Sequence, residues 1–181
     1  QKVGDITFHD DFMVPEEQEI QLADWDVESG VWRLHTAADN AVDRHNIEPD
    51  AAEGRRPEPD RSPNFYSLQG QGTNAIITSG YGFYDAYDFE AAVQSGDGER
   101  GLVFYLQSTN RYHAFTMKML DDVAAALLLL KRVTPANAPQ GEILGAARIP
   151  MTEDQWLKMR VRLYQDRVEC IVCLLYTSPS P

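Results

Sequence analysis

Basic residues are scarce in this chain: 16 Lys and Arg stand against 28 Asp and Glu, a formal net charge of −12 over 181 residues. Such a field repels phosphate backbones and excludes nucleic acid as a natural partner. Long apolar runs are missing too. The longest, Val123 to Leu130, is strand-length and holds three alanines, well short of the roughly 20 residues that a membrane-spanning helix needs. No membrane span is expected. Cysteine is limited to Cys170 and Cys173, without the further partners that a redox or metal-binding CxxC requires. Catalytic signatures are absent as well. The four histidines form no set, and Ser29, Ser67, Ser79 and Ser108 have no nucleophile-elbow context, which sets serine hydrolase chemistry aside.

What is present describes a globular protein. Hydrophobic residues make up 43% and charged residues 24%, ordinary proportions for a folded chain, and the length suits a single domain with a real core. We expect that domain to cover residues 1–172. The chain begins at Gln1 rather than Met, so a removed leader or a fragment is expected. Its last nine residues, CLLYTSPSP (173–181), resemble a translated sequencing-library adapter. They are expected to be a non-native tail that interrupts the strand VECIV.

Segments of seven to ten residues follow one another, separated by Gly, Asn, Pro or Asp, with no confident helix between them. This is the spacing of an all-β sandwich. Residues 5–12 (DITFHDDF) read as a first strand. WDVESGVWRLHT reads as two short strands about a Ser29-Gly30 turn, with Trp25, Val27, Val31, Trp32 and Leu34 available for the core. Residues 37–63 form a long polar loop, of the kind that is either functional or an insertion. Strand signals resume with NFYSLQGQG and NAIITSG. The stretch 86–118 then reads as a three-stranded antiparallel meander broken by SGDGER and STN. VAAALLLLKRV has helix-forming Ala and Leu, but its context favours a strand. EILGAARI, QWLKMRVRLY and VECIV complete the series.

Period-2 alternation assigns faces. Tyr87, Phe89, Ala91 and Val93 share one face, with Asp88, Glu90 and Gln94 on the other. Leu157, Met159, Val161 and Leu163 alternate with Trp156, Lys158, Arg160, Arg162 and Tyr164. A two-residue turn at Thr109-Asn110 would set Leu106 opposite His113, Phe104 opposite Phe115 and Leu102 opposite Met117. On the reverse face, Gln107 would meet Tyr112, Tyr105 would meet Ala114 and Val103 would meet Thr116. His113 thus falls on the apolar face, where a core or edge histidine is the ordinary reading. If these strands share a sheet, its polar side gathers Asp88, Glu90, Tyr105, Gln107, Tyr112, Lys158 and Arg160. Aromatic rings pack on pyranose C–H faces, and planar polar side chains bond paired hydroxyls, so this surface suits carbohydrate. The plainer reading is a solvated face whose acidic and basic strands form weak ion pairs.

Taken together, F-x-D-D-F (Phe8 to Phe12), W-x-V-x-S-G-x-W (Trp25 to Trp32), Y-D-F-E-A-A-V followed by G-L-V-F-Y, N-R-Y-H-A-F and Q-W-L-K-M-R-V resemble the concanavalin A-like lectin/glucanase superfamily, which includes laminin-G-like domains. The resemblance implies a two-sheet antiparallel jelly roll, here with its closing strand missing, and calcium as a possible cofactor, with Asp10, Asp11, Asp121 and Asp122 as oxygen donors. It implies a carbohydrate or protein ligand and a secreted, periplasmic or cell-surface location. The paired-glutamate strand of the superfamily's glucanases has no counterpart. Glu90 lacks the second carboxylate about 5 Å away that a retaining mechanism needs, while Asp88 and Glu90, about 7 Å apart on one strand face, would fit only an inverting one. The expectation is an extracytoplasmic glycan-recognition module. The alternatives are a protein-interaction module that uses the 37–63 loop and, behind it, a glycoside hydrolase tested at Glu90.

Overall fold

The computed structural model describes Asp10 and residues 25–36, 66–80, 86–133 and 141–174. No helix occurs among them; nine strands do. The expected strand at 5–12 and the loop at 37–63 lie outside the described residues, apart from Asp10. The chain gathers into two compact units, one holding the two strands within residues 26–78 and the other the seven strands within residues 88–174.

In the first unit, β1 (Asp26–Thr36) pairs antiparallel with β2 (Tyr66–Thr78). The Ser29-Gly30 dipeptide does not reverse the chain as expected. β1 runs straight through it, with irregular register between Val27 and Ser29 and again between Ser29 and Val31. Gly30 has a φ of 82°, and a Cβ there would come 2.8 Å from the Ala75 Cα. A glycine lets the backbone bulge in this close approach, so a turn signal has become a bulge. The bulge also redirects side chains: Val27 and Val31, expected in the core, are exposed, whereas Trp25, Trp32 and Leu34 are half-buried. Trp32 lies over Gly70 and donates its indole N–H to the Ser29 carbonyl at 3.1 Å.

The second unit contains two antiparallel sheets. β3 (Asp88–Gln94), β8 (Trp156–Leu163) and β9 (Val168–Leu174) form a three-stranded sheet in the order β3-β8-β9. β4 (Glu99–Ser108), β5 (Arg111–Asp121), β6 (Ala124–Val133) and β7 (Glu142–Pro150) form a four-stranded sheet in chain order. The expected meander through 86–118 is therefore only half present. β4 and β5 are neighbours, but β3 pairs with β8, and the chain changes sheets between Gln94 and Glu99. Gly96 and Gly98, both at positive φ, permit that corner. Buried Ser95 pins it, donating to the Thr152 carbonyl at 2.8 Å and accepting from the Gln155 amide at 2.9 Å. The Arg100 guanidinium adds bonds to the Gln94 and Ser95 carbonyls, both at 3.1 Å.

The two sheets share one apolar core. Leu157, Met159 and Val161 are fully buried, as their alternation requires, and meet Leu102, Phe104, Phe115, Met117 and Leu127 of the other sheet. Phe89, Ala91 and Val93 pack against the same cluster. From Ala124 onward VAAALLLLKRV is strand, as its context indicated, and it buries apolar residues on both faces: Ala125 and Leu127 on one, Ala124 and Leu130 on the other. A near-continuous apolar run in place of alternation is the mark of a doubly covered strand. Its neighbour β5 is likewise covered on both sides, since Ala114 and Thr116 are as buried as Phe115 and Met117. The expected polar reverse face is therefore absent along β5.

β9 extends through Cys173 and Leu174, which pair with Lys158 and Leu157, so the tail expected from residue 173 starts inside a paired strand. The two cysteines, three positions apart on a strand, point to opposite faces. Cys170 packs toward the core, where burial pushes its thiol up to about 11, and Cys173 is exposed.

Candidate functional site

The seven residues expected to share one surface divide between the two sheets. Asp88 and Glu90 of β3 stand beside Lys158 and Arg160 of β8, on the outer face of the three-stranded sheet. Tyr105, Gln107 and Tyr112 belong to the four-stranded sheet. The separation follows from the chain's change of sheet after Gln94.

On the first face the charges satisfy one another. Glu90 lies opposite Arg160 and Asp88 opposite Arg162. Lys158 reaches the Glu90 carboxylate at 3.0 Å, Arg162 reaches Asp88 at 3.1 Å, and Arg160 grips Asp88 through two nitrogens while standing 3.6 Å from Glu90. The Arg160 guanidinium, bonded to Asp88, holds that carboxyl below the usual carboxylate range. Asp88 is thus held ionised, as an acceptor for the facing guanidinium groups. Each exposed pair contributes under about 1 kcal/mol. This is the cross-strand ion-pair ladder that the alternation also allowed.

The second group builds a concave site. The Thr109-Asn110 turn is present, with Ser108 opposite Arg111. Beyond it the register departs from expectation by two residues: Phe104 meets His113, Leu102 meets Phe115 and Arg100 meets Met117. Three residues, Tyr105 to Gln107, bulge opposite the single Tyr112. A shift of two preserves the faces, which is why Leu102, Phe104, Phe115 and Met117 remain in the core. Within the bulge Tyr105 takes a φ of 50°, a left-handed conformation uncommon for a bulky residue and one that marks functional or strained positions. The alternation therefore fails at Tyr105. Its ring stands edge-on to His113 at 5.8 Å between centroids and tilted to Phe104 at 5.7 Å, while Phe104 and His113 stack at 5.6 Å. Tyr87, from the end of the opposite sheet, holds a hydrogen bond to the Tyr105 backbone, and burial raises its hydroxyl's pKa despite that bond.

The bulge opens a cleft of about 280 Å³, lined by Tyr105, Gln107, Arg111, Tyr112, His113 and Lys131. That lies near the lower end of small-molecule sites. A second hollow, at Ser95, Gly96, Gly98, Arg100, Met117 and Met119, has no room for a water molecule. Cross-strand pairing sets Lys131 opposite His113, in line with the inner-face pairs Phe115 with Leu129 and Met117 with Leu127. The apolar core thus ends in a polar rim. The side chains of Arg111, Gln107 and Lys131 make no hydrogen bond or ion pair with the described residues, and the His113 Nδ1 is buried without a hydrogen-bond partner among them. Burial, and secondarily the Lys131 ammonium, lower the His113 pKa from its ordinary 6.5, so the imidazole is neutral at pH 7.

Arg111, His113 and Lys131 were not among the expected site residues. Arg111 and His113 follow the turn directly in the sequence, but Lys131 joins them only through the β5–β6 register, and no turn residue announces the bulge that completes the cleft.

The lowered His113 pKa has a consequence for stability. The unfolded chain takes up a proton near pH 6.5 while the folded chain does not, so His113 favours folding above that pH, and the contribution is lost as pH falls toward the depressed folded value. Melting of the wild type between pH 7.5 and 5 should therefore decline more steeply than that of His113→Gln. Parallel declines would show that His113 is not the titrating group.

Two of the four calcium candidates, Asp10 and Asp121, are engaged by protein donors. The Asp10 carboxylate accepts the Trp25 indole N–H at 2.6 Å, and Asp121 accepts the Val123 amide within the β5–β6 turn and the Arg148 guanidinium from β7, each at 3.0 Å. Asp122 is exposed in that turn, and Asp11 lies outside the described residues. Among the described residues no three His, Cys, Asp or Glu side chains converge as a metal site would require. No described helix is long and apolar enough to cross a membrane.

Among known proteins, no family model matches the chain, and no curated protein or solved structure matches it.

Proposed function

We propose that the chain is a glycan-recognition module of concanavalin A-like, jelly-roll type, acting outside the cytoplasm, and that it binds carbohydrate in the cleft at the β4–β5 turn. The observation that carries this reading is the contrast between the two polar surfaces. In the ladder of Asp88, Glu90, Lys158, Arg160 and Arg162 every member is already ion-paired with another, so a ligand there would have to displace existing pairs. The cleft instead presents an exposed tyrosine ring, an amide and two cationic donors with no hydrogen-bond or ion-pair partner among the described residues. A ring for the C–H face of a sugar beside planar donors for its hydroxyls is the combination that carbohydrate recognition uses. The bulge fixes the ring in place, which lowers the entropic cost of binding.

A glycan array comparing the wild type with Tyr105→Ala combined with Tyr112→Phe tests the proposal. Loss of the Tyr105 ring, an aromatic contact worth about 0.5–1.5 kcal/mol, predicts binding weakened by about two- to tenfold, with removal of the Tyr112 hydroxyl adding to it. Asp88→Asn should leave binding as it is. Equal binding by the wild type and the double variant, with an unchanged melting temperature, would remove the cleft from consideration.

A further inference from the structure

The cleft differs from the rest of the molecule in the sign of its charge. In a chain of net charge −12, its lining residues include Arg111 and Lys131 and no carboxylate. Both cations lie on the side of the sheet that carries His113, Arg111 two residues before it on β5 and Lys131 opposite it on β6. Elsewhere in the same unit Lys158, Arg160, Arg162, Arg148 and Arg167 are each ion-paired with an Asp or Glu, whereas Arg111 and Lys131 form no ion pair with the described residues, although exposed Glu142 of β7 stands opposite Lys131 in the register. Two unmatched cations beside an unbonded buried imidazole nitrogen form a recess with donors and no anion. Resting on the glycan reading above, we infer that the sugar held in this cleft is acidic, a uronate whose carboxylate is bound by Arg111 and Lys131 while Tyr105 packs on the ring.

The geometry favours a carboxylate. A guanidinium offers a planar fork that matches two carboxylate oxygens, and the ammonium supplies a second, less directional charge. As diagonal neighbours across a strand pair, the two positions are about 7–8 Å apart, so one ionised group can lie between their side chains. The negative surroundings set the selectivity: the net charge opposes anions at long range, and the local cations act at contact distance. His113 reports on occupancy. The groups around it are Tyr105 on β4, Arg111 on its own strand and Lys131 on β6, with Tyr87 reaching Tyr105 from the other sheet. The carboxylate in the same cross-strand row is Glu142 of β7, exposed and one strand beyond Lys131, so a carboxylate bound in the cleft would be the nearest negative charge to His113 and would raise its pKa.

The test titrates the whole chain with trigalacturonate, with its methyl ester, which keeps the sugar and removes the charge, and with sulfated trigalactose. Binding is followed by calorimetry and the His113 ring by NMR. Trigalacturonate should bind at least about tenfold more tightly than the ester, with a raised His113 pKa in that complex alone. Arg111→Gln with Lys131→Gln should bring the two affinities together at an unchanged melting temperature. Equal affinities for acid and ester in the wild type would overturn the acidic preference and leave glycan recognition standing. Preference for the sulfated sugar would replace the carboxylate by a sulfate. No binding of any of the three would remove both the preference and the glycan reading of this cleft.

Discussion

Replacing Met159 with alanine is expected to lower the free energy of unfolding by about 2–5 kcal/mol, the usual range for truncating a buried long side chain. Met159 is fully buried in the middle of β8, between Leu157 and Val161, and lies in the cluster that joins the two sheets. β8 is also the central strand of its sheet, paired to β3 on one side and β9 on the other, so the cavity cannot collapse by letting an edge strand slide. The outward neighbour provides the control. Lys158→Ala removes one exposed ion pair and should cost under about 1 kcal/mol. Urea unfolding of both variants measures the difference; equal losses would mean that β8 does not present its odd-numbered residues to the core.

The second large effect is expected at Gly101. A Cβ there would fall on the Phe115 carbonyl oxygen and 2.7 Å from the Thr116 Cα. Both are backbone atoms of the paired strand β5, and no side chain can rotate away to relieve the overlap. Gly101→Val should therefore force β4 and β5 apart next to Leu102 and Phe115, costing about 1–3 kcal/mol or more as overpacking does. Because Tyr105 and His113 lie farther along the same strand pair, the variant should also lose glycan binding. Gly98→Ala is the comparison: Gly98 has a positive φ, 86°, but nothing within 4 Å of its Cβ direction, so the variant carries backbone strain without a clash. Thermal denaturation should rank Gly101→Val well below Gly98→Ala, and the reverse order would contradict the close approach of β4 to β5.

Much of the fold was legible because period-2 alternation is a local property. Leu157, Met159, Val161 and Leu163 could be placed inward from eight residues of sequence, and Phe89, Ala91 and Val93 likewise. Partner choice is not local. β3 was read with β4 because the two adjoin in sequence, yet it pairs with β8, about 70 positions away. The signal for that pairing was present in Asp88 and Glu90 facing a strand of Lys158, Arg160 and Arg162, but complementary charge was legible only as one of two readings of that face. The cleft was half legible. Tyr105, Gln107 and Tyr112 could be named as polar and aromatic residues near a turn. Their gathering with His113 depends on a left-handed tyrosine, and no composition rule anticipates a positive φ at a residue with a bulky side chain. Lys131 required the β5–β6 register as well, because the apolar run before it gives no face to count from.

Glycan recognition in the β4–β5 cleft is tested most directly by a ¹⁵N-labelled titration with the best-binding sugar from the array, followed residue by residue. Amide shifts are predicted to concentrate at Tyr105 to His113 and at Lys131, while Asp88 to Ala92 and Lys158 to Arg162 stay in place. Shifts centred on the ion-pair ladder, or spread evenly without saturation, would contradict it.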